Sequence, residues 1–234
     1  MPFRAGQKKG KRTGGTGRAA PETRAAILAA AEGMFAREGL AGARTDAIAK
    51  AAGVNKALLY YYFASKEQLY EAVVEEHFRL LTVESLKVFA PSPAGGPRTG
   101  DDCRRPRDIL LQYIDVQFEF MRAHQQYASL YQHLMLAGGK ATQKTAEKIV
   151  RKYFLPRASA LQDLLRRGMR EGDFREMDVV HAAVSITALV VFYFSASRVL
   201  VILGEPAPYS DASLRRRKEE VCAFIRHGLF LEKS

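Results

Sequence analysis

Between Thr45 and Phe63 two short segments of helical apolar spacing meet at a single glycine, and few folds accommodate that arrangement. The stretch reads Thr-Asp-Ala-Ile-Ala-Lys-Ala-Ala-Gly-Val-Asn-Lys-Ala-Leu-Leu-Tyr-Tyr-Tyr-Phe. Ile48 and Ala49 are expected to face inward, and Ala52 is small enough for a second helix to cross closely. Gly53 supplies the positive φ of a tight turn. Val54 fills the core beneath it, and Asn55 caps the second helix. Leu59 and Phe63 lie four apart on one face and should be buried. Thr45 suits the cap of the first helix, which leaves backbone N–H groups aimed outward at a phosphate. Lys56, Ala57, Tyr60 and Tyr61 then share the opposite face. Lysine meets a phosphate or a guanine edge, tyrosine hydroxyls reach phosphate, and alanine touches a thymine methyl. Three consecutive tyrosines cannot all enter one core, so at least one is exposed.

The flanking sequence is helical as well. Pro21 fits a first helical turn, Ile27, Ala30, Ala31 and Met34 recur at helical spacing, and Gly39 suits a left-handed cap. Ser65-Lys-Glu-Gln68 reads as a capping box opening a helix to about Phe89. Residues 90–106 hold Pro91, Pro93, Gly95, Gly96, Pro97, Gly100 and Pro106 and read as a linker. Beyond it, helices are predicted over 106–123, 125–137, 141–171, 178–203 and 210–231, with Pro156 kinking or splitting the third. No segment alternates strictly enough for a strand, so the fold class is all-α.

Charge narrows the partners. The net charge is +11, and residues 1–24 carry Arg4, Lys8, Lys9, Lys11, Arg12, Arg18 and Arg24 against Glu22 alone. A basic arm over residues 1–20, expected to be disordered, attracts polyanions, although a solubilising tail has the same composition. The run Arg215-Arg-Arg-Lys218 is followed by Glu219-Glu220 and fits a solvated helix face better than a second nucleic-acid patch. Cys103 and Cys222 are far apart, which suits a reducing compartment. The basic start lacks the apolar run of a secretory signal, which suggests a cytoplasmic protein. The 179–203 stretch is apolar, but His181, Ser185, Thr187, Ser195, Ser197 and Arg198 interrupt it, so burial between helices, one from a second copy, fits better than a membrane span. His77, His124, His133, His181 and His227 show no metal-ligand spacing, and no cofactor is expected. The chain also lacks G-x-S-x-G and paired carboxylates in a defined setting, and Gly15-Thr-Gly17 follows no strand, so nothing calls for an enzyme. Two alternatives stay open: a membrane- or protein-associating helical module with a basic arm, and an enzyme that uses a cavity in the C-terminal helices.

Residues 45–72, from Thr45 through Ile48-Ala49, Ala52-Gly53-Val54, Leu59-Tyr60, Phe63, Ser65-Lys66-Glu67 and Leu69, resemble the TetR family of bacterial transcriptional repressors. The resemblance covers residues 21–75. Beyond them it extends only to helical layout and to the Glu171-Gly-Asp-Phe174 turn. It implies a three-helix helix-turn-helix domain at 21–66 and a helical effector-binding and dimerisation domain at 67–234. It implies phosphate contacts at Arg44, Thr45, Tyr60, Tyr62 and Lys66, with Lys56, Ala57, Leu58 and Tyr61 toward the bases. Asn55 stands where serine is usual, Ala57 where glycine is usual, and Leu58 replaces a small or hydroxyl residue, which would alter the operator read. The resemblance further implies a homodimer through about 178–203 and 210–231, a palindromic double-stranded operator, and release by an unidentified small-molecule effector.

For the effector, Tyr113, Gln117, Phe120 and Met121 sit at helical spacing on one helix, Tyr127, Tyr131 and His133 follow on the next, and His181 opens a later one. An apolar pocket with a few polar groups is what such a ligand needs. The same stripe also fits an ordinary helix core.

Overall fold

The computed structural model describes residues 19–90, 104–136 and 138–231. The basic arm through Arg18, the linker residues 91–103 and Cys103 lie outside them. Among the described residues the fold is all-α: α1 (Ala20–Gly42), α2 (Thr45–Ala52), α3 (Lys56–Tyr62), α4 (Lys66–Phe89), α5 (Pro106–Ala123), α6 (Gln126–Leu136), α7 (Lys140–Ile149), α8 (Leu155–Arg170), α9 (Val179–Ser195), α10 (Ser197–Ile202) and α11 (Asp211–Leu229).

The first three helices form a head around Ile27, Phe35, Ile48, Leu59 and Phe63, all buried. Local chemistry dictates each joint. The helical course of α1 is interrupted at Gly39, whose φ of 66° and ψ of −176° suit only glycine. Gly53 is left-handed, at φ 70° and ψ 30°. Its N–H donates to Lys50 O and that of Val54 to Ala49 O, the paired bonds of a Schellman cap. Asn55 Oδ1 accepts from Leu58 N at 2.7 Å and starts α3. Ser65 Oγ accepts from Gln68 N at 3.1 Å and starts α4.

One expected cap differs. Arg44 occupies the cap position of α2 without a side-chain bond, and Thr45 is the first helical residue. Its Oγ1 instead accepts from Tyr60 Oη at 3.4 Å, which ties α2 to α3.

The long α4 carries the chain into the body. It packs on α1 through Tyr70, whose ring meets Phe35 edge-on at 5.0 Å. Farther along, His77 Nε2 lies 3.1 Å from the Glu32 carboxylate of α1. In the body, Phe78, Phe120, Tyr127 and Tyr131 form an aromatic cluster between α4, α5 and α6. The Glu171–Phe174 turn locks three helices together. Asp173 is buried and pairs with Arg107 Nη2 of α5 at 2.7 Å. Leu231 N donates to Asp173 O after α11. Gly168 of α8 lies so close to the Phe174 ring that a Cβ there would stand 2.1 Å from it.

Two expected helices are modified. Pro156 leaves the chain helical through 141–170, but the segment before it divides α7 from α8. A π-helical turn, Val150–Phe154, precedes it, with Leu155 N donating to Val150 O, so the wider turn absorbs the missing proline N–H. The 178–203 helix, in contrast, divides at Ala196, where φ is −106° and ψ 23°. There Gln132 Nε2 of α6 donates to Ser195 O at 2.8 Å, holding the end of α9 from outside. Among the described residues no helix is long and apolar enough to cross a membrane.

Candidate nucleic-acid interface

The core-facing side of α3 is spent on Leu59, which is fully buried. What remains points to solvent: Asn55, Lys56, Ala57 and Tyr60 are exposed, and Tyr61 is 81% exposed. An aromatic ring that open has no role in the core of this chain. Leu58 is half-buried at the edge of the same face. Tyr62 is half-buried against the head core, with its ring edge-on to Tyr61 at 5.4 Å. Arg44 is exposed and Thr45 half-buried at the neighbouring start of α2.

Lys56 and Lys66 on this surface are already engaged. Lys56 Nζ lies 3.0 Å from Asp46 Oδ1, both exposed. The bond to Asp46 raises the lysine above its ordinary pKa, so it is fully cationic at neutral pH. Lys66 Nζ donates to Ala41 O at 3.4 Å and Ala43 O at 3.2 Å, closing the chain between α1 and α2. The sequence gives no sign of the Asp46 pairing, because ten-residue separation across a turn has no periodic signature.

The residues expected around an effector divide. Tyr113, Gln117, Phe120 and Met121 are all buried on α5. Phe120 joins the aromatic cluster, as does the half-buried Tyr131. His133 turns toward the head, with Nε2 3.2 Å from Ala36 O. His181 is exposed in the first turn of α9, where its backbone N–H donates to Asp178 Oδ1. Tyr113 alone of the set lines a cleft of about 210 Å³ between α5, α8 and α9. Phe154, Leu155, Val180 and Val184 form much of its wall, with Arg157 and Thr187 among its polar residues. Arg157 gave no sequence signal, since arginine on a helix ordinarily reads as solvated surface.

A helix-turn-helix head with an open lysine-tyrosine face, set on a helical body with a cleft, defines a DNA-binding transcriptional regulator. Residues 27–73 match the model of bacterial regulatory proteins of the tetR family, and residues 106–225 match that of the tetracyclin repressor-like C-terminal domain. The chain belongs to the TetR family of bacterial transcriptional regulators. It is 26% identical over 191 residues to the HTH-type transcriptional repressor NicS of Pseudomonas putida, spanning 81% of this chain and 84% of that one. It is 36% identical over 128 residues to the transcriptional regulator RutR of Escherichia coli, 55% of each. Its fold is similar to that of the ketosteroid transcriptional regulator KstR2 of Mycobacterium tuberculosis, with a TM-score of 0.69 and 22% identity over 89% of this chain and 95% of that one.

Proposed function

We propose that this chain is a ligand-responsive repressor that binds a palindromic operator as a homodimer and is released by a small-molecule effector. The observation that carries it is the open face of α3, where Lys56, Ala57, Tyr60 and Tyr61 stand clear of the core. Residues 21–66 act as the DNA-binding domain and 67–234 as the effector and dimerisation domain. Arg44, Thr45, Tyr60, Tyr62 and Lys66 meet phosphates, while Asn55, Lys56, Ala57, Leu58 and Tyr61 approach the bases. The Lys8 to Arg18 arm adds phosphate contacts.

Dimerisation fits the apolar surface left on the last helices. Phe192 and Phe224 are each 66% exposed, and Ile202 is 84% exposed. Patches of this kind mark association sites. A bundle of α9, α10 and α11 from each copy covers them and sets the two α3 helices roughly 34–36 Å apart, one turn of duplex. The effector acts by preferring the state in which that spacing is wrong, and DNA weakens effector binding by the same factor. The contacts of α1 with His77 and His133 transmit a body movement to the head. The activity is binding, with no chemical step.

Selection of bound duplexes from a random pool tests this. A palindromic consensus is expected, bound with steep salt dependence because phosphate neutralisation releases counterions. A unique non-palindromic site contradicts the dimer geometry, and no enrichment contradicts operator binding.

A further inference from the structure

The cleft of the body holds a cation without a counter-ion. Arg157 is 5% exposed, and among the described residues no carboxylate lies within 4.0 Å of it. Its Nε donates to Tyr153 O at 3.4 Å, a long bond, and its guanidinium sits 5.8 Å from the centre of the Phe154 ring. A guanidinium removed from water with only neutral partners around it is costly, and an anion that supplies the missing charge is bound correspondingly well.

The surroundings combine neutral polar groups with apolar side chains. Tyr113 and Tyr127 flank the arginine, which is hydrogen-bonded to the Tyr127 side chain. Burial pushes the Tyr113 phenol up and that of Tyr127 up to about 12, with Arg157 opposing both shifts, so neither supplies a negative charge near neutrality. Gln117 is buried beside Tyr113, with which its side chain hydrogen-bonds. The Thr187 hydroxyl is already spent on Ala183 O at 2.9 Å. Phe154, Leu155, Val180 and Val184 also line the cleft. The planar fork of arginine matches a carboxylate through two parallel bonds. A cavity of about 150 Å³ holds benzene, so a cleft of about 210 Å³ takes one ring or a short chain with its headgroup.

We propose that the effector is a small monocarboxylic acid with a single ring or a short alkyl chain, its carboxylate paired with Arg157 and its apolar body against Phe154, Val180 and Val184. This rests on the reading of the body as an effector domain and adds the chemical class of the ligand.

The test uses the full chain with benzoate, phenylacetate and hexanoate, each set against its amide, and inorganic phosphate as a further control. Thermal unfolding and release of a selected operator are read together. The acids are expected to raise Tm and release DNA, while the amides and phosphate do neither. Arg157→Gln is expected to weaken the acid response at least tenfold. Should that variant unfold, Ala158→Phe fills the cleft wall with the arginine intact and is expected to abolish the response while the unliganded Tm stays close to that of the parent. Equal responses to acid and amide, a response to phosphate, persistence of the benzoate effect in Ala158→Phe, or no response to any acid each overturns the proposal. Operator binding without ligand survives all of these outcomes, whereas its absence overturns the regulator reading itself.

Discussion

The His133 ring occupies the space that a side chain on Gly39 would need: a Cβ there would stand 2.9 Å from Nδ1. The bend that ends the helical course of α1 is therefore built against α6 of the body. Head and body meet through a residue that can have no side chain.

Gly39→Ala is expected to lower stability by about 1–3 kcal/mol, the cost of forcing a side chain into a glycine-only backbone region, with the collision against His133 added. Urea unfolding checks this through a lower midpoint at unchanged slope. The double variant with His133→Ala should recover the collision part alone. Simple additivity of the two single variants would show that they do not share the space.

The same seam makes stability depend on acid. Burial, and after it the neighbouring His77, lowers the pKa of His124 from its ordinary 6.5, so the unfolded chain binds the proton more readily than the folded one. Stability is therefore lost as pH falls from 6.5 through the lowered value. The hydrogen bond from His77 holds Glu32 below its ordinary 4.5, which adds a second loss under more acid conditions, as pH falls from 4.5 through the depressed value. Chemical denaturation across pH should show both losses, and His124→Asn should remove the first and leave the second. A stability that is flat or rising on acidification through 6.5 would contradict the assignment.

Asp46 holds Lys56 in the free protein. Asp46→Asn removes a negative charge from the DNA-facing surface and frees the ammonium. Binding to an arbitrary duplex at low salt is expected to tighten several-fold, because the freed lysine neutralises a phosphate more fully. Fluorescence anisotropy at several salt concentrations measures it, and weaker binding would mean that Asp46 orients Lys56 for contact.

Phe224 is an exposed ring on α11, on a groove shared with Leu189 and Ile186 of α9. Phe224→Asp buries a charge in the proposed bundle and is expected to leave a folded monomer. Sedimentation velocity reads the state. A dimer of unchanged affinity would place the interface elsewhere.

Much of the head was legible in the sequence because its joints are local. Gly53 and Asn55 act within four residues of themselves, and their backbone and side-chain bonds form as the residue types require. Leu59 and Phe63 are buried where helical spacing puts them. The body was legible as helices and not as a cleft. The π-helical turn before Pro156 and the break at Ala196 depend on partners distant in sequence or on how a whole helix is accommodated. Arg157 and Lys56 illustrate the limit most clearly. One is buried on a helix that reads as solvated, and the other is ion-paired with a carboxylate that has no regular spacing from it.

The most direct measurement is a salt titration of operator affinity for the parent, Lys56→Ala and Tyr61→Ala, with helicity monitored in parallel. Both variants should keep their helical signal and lose at least tenfold in affinity, and the lysine variant should also lower the slope of log affinity against log salt by about one. Unchanged affinity and slope in folded variants would contradict the claim that α3 presents this face to the duplex.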